Sequence, residues 1–193
     1  MPYPSQVQRA DLIDKARELI ECEGLDRLTL QSLAAAFGIA APSLYHHFRN
    51  KTALLAAVNA ATASALVEAM LAAASQASAE DQADPTSALI HMLHGYRMFA
   101  HAHPVTYSMV FANTMSALKP DPQTAEALAL PLQEIMARVV GAAKSLPALR
   151  GGWALVHGFV MLELAGQFQR GGDLDNAFET AVRTYMDGLR QPE

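Results

Sequence analysis

The chain has 193 residues, is 51% hydrophobic, and carries 19 acids against 14 bases for a net charge of −5. That apolar content allows a sizeable core in one large or two small domains. The single cysteine, Cys22, excludes an internal disulfide and points to a reducing compartment, and a small packing residue is expected there rather than a redox sensor.

MPYPSQVQRADL at the N-terminus has no apolar core and does not read as a signal peptide. The first predicted helix spans about Gln6 to Cys22, with Ala10, Ile13, Ala16, Leu19 and Ile20 on one stripe. Next comes TLQSLAAAFGIAAPSLYHHFRNK, residues 29 to 51. Thr29 is a hydroxyl N-cap, and Leu30, Leu33, Ala34 and Phe37 recur at helical spacing. Gly38 stands where a helix ends in a positive φ, and Ile39 can pin the turn to the core. Pro42 suits the first turn of a second short helix, because its missing N–H costs nothing there. Helix, glycine turn, helix is the organisation of a helix-turn-helix DNA reader.

The second short helix carries the chemistry. Ala40 and Ala41 are small enough for close approach; Ser43, Tyr45, His46 and His47 supply hydroxyl and imidazole groups, and Arg49 and Lys51 fixed positive charge. Phosphates are held by such donors, while a few side chains near the start of the recognition helix read base edges. No acid occurs between Asp26 and Glu68, a local footprint suited to a polyanion within an acidic chain.

Lys51 opens a long alanine-rich helix towards Ala79, ended by SQASAEDQADPTS. Further helices are predicted at about Pro85 to His101, Pro104 to Phe111, Gln123 to Ser145, Ala148 to Gln169 and Leu174 to Gly188, the last capped by Asp173. Asn113 to Pro122 reads as irregular, and no useful β alternation appears. The most apolar segments are interrupted by Asn59, Glu68, His157 and Glu163, which suits a cytoplasmic protein with no membrane partner. Residues 1–55 hold six bases and six acids, so all of the −5 net charge lies beyond them, and that part is not expected to touch DNA.

GIAAPSLYHHFRNKTALL resembles the second half of the DNA-binding domain of the tetracycline-repressor (TetR) family, and the similarity extends back through ADLIDKARELIECEGLDRLTL. YRMFAHAHPVTYSMVF, WALVHGFVMLELAGQF and AVRTYMDGL resemble the ligand-binding domain of the TetR subfamily named for a Trp-His-Gly motif, here Trp153, His157 and Gly158. The resemblance implies an all-α fold of about nine helices. A three-helix DNA-binding domain is expected at 6–66, with its helix-turn-helix at 29–48, and an effector-binding and dimerisation domain at 67–193. It also implies DNA contacts: Gln31, Ala41, Pro42, Ser43 and His46 towards bases, and Thr29, Tyr45, His47 and Lys51 towards phosphates. No residues match the magnesium-tetracycline site of the founding repressor.

The helix around Trp153 is apolar on every side, and in a chain this small its second burial surface is expected to be another subunit. Leu155, Phe159 and Leu162, with Val182, Tyr185 and Met186 on the last helix, are the expected dimer contacts in a four-helix interface. Tyr96, Phe99, His103, Tyr107, Met115, Trp153, His157 and Met161 combine apolar bulk with a few polar tips and are expected to wall an effector pocket. Core packing is the competing role for each of them.

His91, His94, His101 and His103 fall close together, but with one cysteine and no carboxylate nearby in sequence no metal or other cofactor is assigned. No phosphate loop, G-x-S-x-G elbow or HExxH occurs, and Glu163 with His157 at i, i+6 faces different sides of a helix, so an enzyme is not expected. The expected function is a homodimeric transcriptional regulator on double-stranded operator DNA. A repressor released by a small apolar or aromatic effector is expected, with repression resting on the resemblance alone. The rival is a helical ligand-binding or metal-sensing module without specific operator binding.

Overall fold

The computed structural model describes residues 7–76, 84–112, 118 and 120–190. Among these residues are eight α-helices and two short 3₁₀ segments, with no strand. They form two compact units, one of residues 1–64 and 103–121 and the other of 65–102 and 122–193. The division departs from a simple cut at residue 66, because a helix from the middle of the chain returns to the first unit.

In the first unit, α1 (Arg9–Glu23), a 3₁₀ turn at Leu25–Arg27, α2 (Leu30–Ala36), a second 3₁₀ segment at Ala41–His46, the start of α3 (Lys51–Ser75) and α5 (Pro104–Ala112) share one core. Leu12, Ile13, Ala16 and Ile20 of α1 meet Leu28, Leu33, Ala34, Leu44, Phe48, Leu54, Val58 and Met109. Leu12 takes the inward place expected of Ala10, which is exposed, and Leu19 is half-buried. Glu21 joins α1 to α5. Its carboxylate accepts from Val105 N at 2.8 Å, Thr106 N at 3.0 Å and the Thr106 hydroxyl at 2.8 Å. These amides lie in the first turn of α5, where the helix has no partners of its own. A residue 84 positions away thus supplies the cap.

The second unit holds the end of α3, α4 (Pro85–Ala102), α6 (Pro122–Val140), α7 (Ala142–Leu164) and α8 (Leu174–Arg190). Three boundaries differ from expectation. α6 stops at Val140 and α7 starts at Ala142, because the chain turns at Gly141, while Pro147 sits inside α7 instead of preceding it. α7 stops at Leu164, where Gly166 N donates to Glu163 O at 2.9 Å and Gln167 N to Leu162 O at 2.9 Å. α3 is described as far as Ser75, and the expected extension to Ala79 lies outside the described residues. Asp173 caps α8 as expected, accepting from Asp175 N at 3.0 Å and Asn176 N at 3.1 Å.

Arg97 of α4 fastens α7 and α8 together. Its guanidinium donates to Glu163 at 2.9 and 2.5 Å, pairs with Asp175 at 2.7 Å, and lies 5.0 Å from the Phe178 ring centroid. Hydrogen bonding from Arg97 holds the Glu163 carboxyl below its ordinary range, with help from His101 at 2.8 Å. The planar fork of arginine makes this bidentate geometry available where lysine could not.

Gly95 allows α4 to cross α3 at close range: a Cβ there would stand 2.7 Å from Ala73 Cβ and 3.0 Å from Ala69 O. Neither neighbour is a flexible tip that can swing away. Gly95→Ala is therefore expected to destabilise the protein by about 1–3 kcal/mol, the usual cost of overpacking, despite alanine's better helix propensity. Urea denaturation checks this.

Candidate nucleic-acid interface

The reader begins with a reciprocal cap. Thr29 Oγ1 accepts from Ser32 N at 2.9 Å, and Ser32 Oγ accepts from Thr29 N at 2.9 Å. α2 ends where Gly38 takes φ +63°, with Gly38 N donating to Ala35 O and Ile39 N to Ala34 O, both at 3.1 Å. A positive φ suits glycine because no Cβ meets the carbonyl. Ile39 packs partly buried on the core.

The segment that follows is tighter than an ordinary α-helix. Ser43 N donates to Ala40 O at 2.9 Å and His47 N to Leu44 O at 2.9 Å, the three-residue pattern of a 3₁₀ turn. It is only six residues long, with Pro42 at its start and Asn50 already capping α3 through Ala53 N at 2.8 Å. Leu44 and Phe48, 0% and 1% exposed, are driven into the core. Their burial turns the residues between and beside them outward.

Pro42, Ser43, Tyr45, His46 and Arg49 are exposed, Tyr45 at 59%, and Gln31 of α2 is exposed as well. Ala41 and His47 are half-buried, and Ala41 packs against the core. Two residues expected to face phosphate have structural duties. The Thr29 hydroxyl forms the cap, and Lys51 Nζ donates to Leu25 O at 3.3 Å, tying α3 to the turn after α1. Sequence reasoning missed Arg9, whose guanidinium stands 5.0 Å from the Phe48 ring centroid, and nothing in the local sequence marks that contact.

In the second unit, Tyr96 is 1% exposed, its hydroxyl is 3.1 Å from His157 Nδ1, and its ring meets Trp153 edge to face at 5.1 Å. Burial pushes the His157 imidazole below its ordinary pKa. A neutral ring has one donor and one acceptor nitrogen, so the hydroxyl and Nδ1 share a single proton across this contact. Phe99 is buried and Met161 half-buried in the same unit. His103 and Tyr107 belong to the first unit, and Met115 lies outside the described residues.

The expected dimer residues divide. Leu162 is 46% exposed, and Leu155 and Phe159 are half-buried, with the Phe159 ring 4.9 Å from Phe168 and 5.2 Å from Phe178. Val182 and Met186 are 0% and 1% exposed, so the amphipathic α8 has turned them into its own unit, and no surface is left on them for a partner to cover. Tyr185 lies over Gly151 and donates to Ala148 O at 2.5 Å, an internal bond in place of an external one. His94 and His101 are 2.5 and 2.8 Å from separate carboxylates, Glu179 and Glu163. No group of three or more possible metal ligands occurs among the described residues.

A glycine-turned helical pair with polar and basic groups outward, in one chain with a second helical unit, defines a helix-turn-helix DNA-binding regulator. Residues 12–58 match the family model of bacterial regulatory proteins of the tetR family, and residues 89–185 match the tetracyclin repressor-like C-terminal domain. The chain belongs to the tetR family. An uncharacterised HTH-type transcriptional regulator of Mycobacterium tuberculosis is 28% identical over 190 residues, covering 97% of this chain and 84% of the relative. A protein of unknown function from Rhodococcus sp. RHA1 superposes with TM-score 0.80 at 24% identity, over 99% of this chain and 100% of the other. BioQ, solved with its natural double-stranded DNA operator, superposes with TM-score 0.63 at 22% identity, over 96% of this chain and 99% of the other.

His157 carries a prediction about pH. The unfolded imidazole takes up its proton as pH falls below about 6.5, the folded one only at lower pH. The wild type therefore loses stability below that value, and His157→Phe is expected to flatten the loss between about pH 6.5 and 5.5. Denaturation midpoints across this window provide the check. An unchanged slope would mean that the buried ring is not the responsible group.

Proposed function

We propose that this protein is a homodimeric repressor which reads operator DNA through Pro42, Ser43, His46 and Gln31 and holds phosphates through Tyr45, Arg49 and the remaining donors of Lys51. The observation that carries this is the exposed row at 42–46, fixed from beneath by Leu44 and Phe48, in a stretch with no acid between Asp26 and Glu68. Hydroxyls, imidazoles and a guanidinium on a short rigid platform match the chemistry of phosphates and groove edges. BioQ with its operator supports DNA as the partner.

We further assign the chain to the Trp-His-Gly subfamily, with an effector site in the second unit around Tyr96, Trp153, His157, Phe99 and Met161. An imidazole kept neutral among aromatic rings suits an uncharged, apolar or aromatic effector. The partner subunit is proposed to cover Leu155, Phe159 and Leu162. By length and hydropathy α3 could cross a membrane, but it carries Asn59 and Glu68 and contributes Leu54, Val58, Leu66 and Met70 to the interior. A cytoplasmic location accords with that.

Selection of bound duplexes from a random pool tests the reader. Two half-sites about one helical turn, 34–36 Å, apart are expected. On the selected duplex, Arg49→Ala should weaken binding to all sequences alike and lower the salt slope by about one for each phosphate that the guanidinium neutralised, whereas Ser43→Ala should change sequence preference. Salt-dependent binding without any enriched sequence would contradict operator recognition. Sedimentation tests the assembly: a dimer at micromolar concentration is expected, and Phe159→Glu should shift it to monomer because the interface would bury an unpaired charge.

A further inference from the structure

Two polar side chains of α3 interrupt the apolar interior of the first unit. Asn59 and Thr62 of α3 are 2% and 1% exposed. Three residues apart on a helix, they share one face. The Asn59 amide is held in place, since Nδ2 donates to Leu118 O at 3.0 Å. That bond orients the amide and leaves Asn59 Oδ1 without a partner, and Thr62 Oγ1 has none either. The threonine hydroxyl does not turn back to a carbonyl of the preceding helical turn, the usual resort of a mid-helix threonine.

Such groups are costly. Buried donors and acceptors are nearly always paired, and an unmade bond forfeits the hydration that each group had in water. Valine would fill the space of Thr62 without that loss. Neither residue can serve the DNA face, because both are closed off from the surface. An acceptor and a hydroxyl on one helix face have the joint chemistry to bind a group that both donates and accepts.

We propose that Asn59 and Thr62 form the polar end of a binding site for an uncharged, otherwise apolar molecule bearing a hydroxyl, of which a phenol is the simplest case. The ligand hydroxyl donates to Asn59 Oδ1 and accepts from Thr62 Oγ1–H, which satisfies all three groups. The ligand is neutral, because Asn59 and Thr62 offer only an amide oxygen and a hydroxyl, and an unpaired ion buried against them would not be accepted. Asn59 and Thr62 belong to the first unit, whereas the effector site proposed around Trp153 and His157 belongs to the second, so the two sites are tested separately and occupancy here is measured without DNA.

The test adds p-cresol, or toluene as the same ring without the hydroxyl, to the full-length protein and follows the Asn59 side-chain amide by NMR. p-Cresol is expected to shift that signal and to bind at least about tenfold more tightly than toluene, because a site built for a hydroxyl rejects the analogue lacking it. Thr62→Val should erase the preference while the melting temperature holds or rises, which a purely structural hydroxyl would not combine. Equal affinity for both compounds, affinity for neither, or a preference that survives Thr62→Val would overturn the proposal.

Discussion

The reader depends on the burial of two side chains, Leu44 and Phe48. The segment between Ala41 and His46 is too short to hold a helical shape alone, since helix nucleation is unfavourable and six residues close few bonds. Its shape comes from the core beneath. Leu44 inserts between the helices of the first unit, Phe48 closes the far end, and Gly38 brings the chain round at the required angle. Ser43, Tyr45 and His46 face outward as a consequence. Removing either anchor would leave the same donors present in sequence and unplaced in space.

Electrostatics refine that platform. Asn50 caps α3 directly after the reader, and Lys51 fastens α3 to the carbonyl of Leu25, so the turns on both sides of the recognition segment are tied. Glu21 gives its carboxylate to the first turn of α5. This both anchors α5 within the unit and engages a negative group that an open surface would present to a polyanion. In the second unit, Arg97 performs the comparable service with one guanidinium shared between Glu163 and Asp175. The first carboxylate is 8% exposed and the second 86%, so the Glu163 half supplies most of the hold, exposed pairs being weak.

What was legible in sequence follows the range of the forces. The Thr29 cap, the Gly38 turn and the Asp173 cap act over two to five residues, and each stands where its residue type placed it. The all-helical fold followed from periodicity. Partners far apart were not legible: Arg97 meets Glu163 across 66 positions, and His94 meets Glu179 across 85. The carboxylates that occupy these histidines are absent from their sequence neighbourhood and adjacent only in space. The expected start of α7 at Ala148 falls just after Pro147, a residue that the helix tolerates near its start, and the break lies at Gly141. Val182 and Met186, buried within their own unit, were not legible for another reason. An apolar stripe shows that a helix buries one side but not whether its own chain or a second copy covers it.

The central claim is that residues 41–47, held by Leu44 and Phe48, enter the DNA groove as a rigid unit. A cocrystal structure of the dimer on a duplex selected from a random pool tests this most directly. Ser43 and His46 are expected at base edges in two successive major grooves, with Tyr45 and Arg49 against phosphate oxygens and Leu44 and Phe48 still buried. A complex in which the 41–47 segment faces solvent while another surface holds the duplex would contradict it.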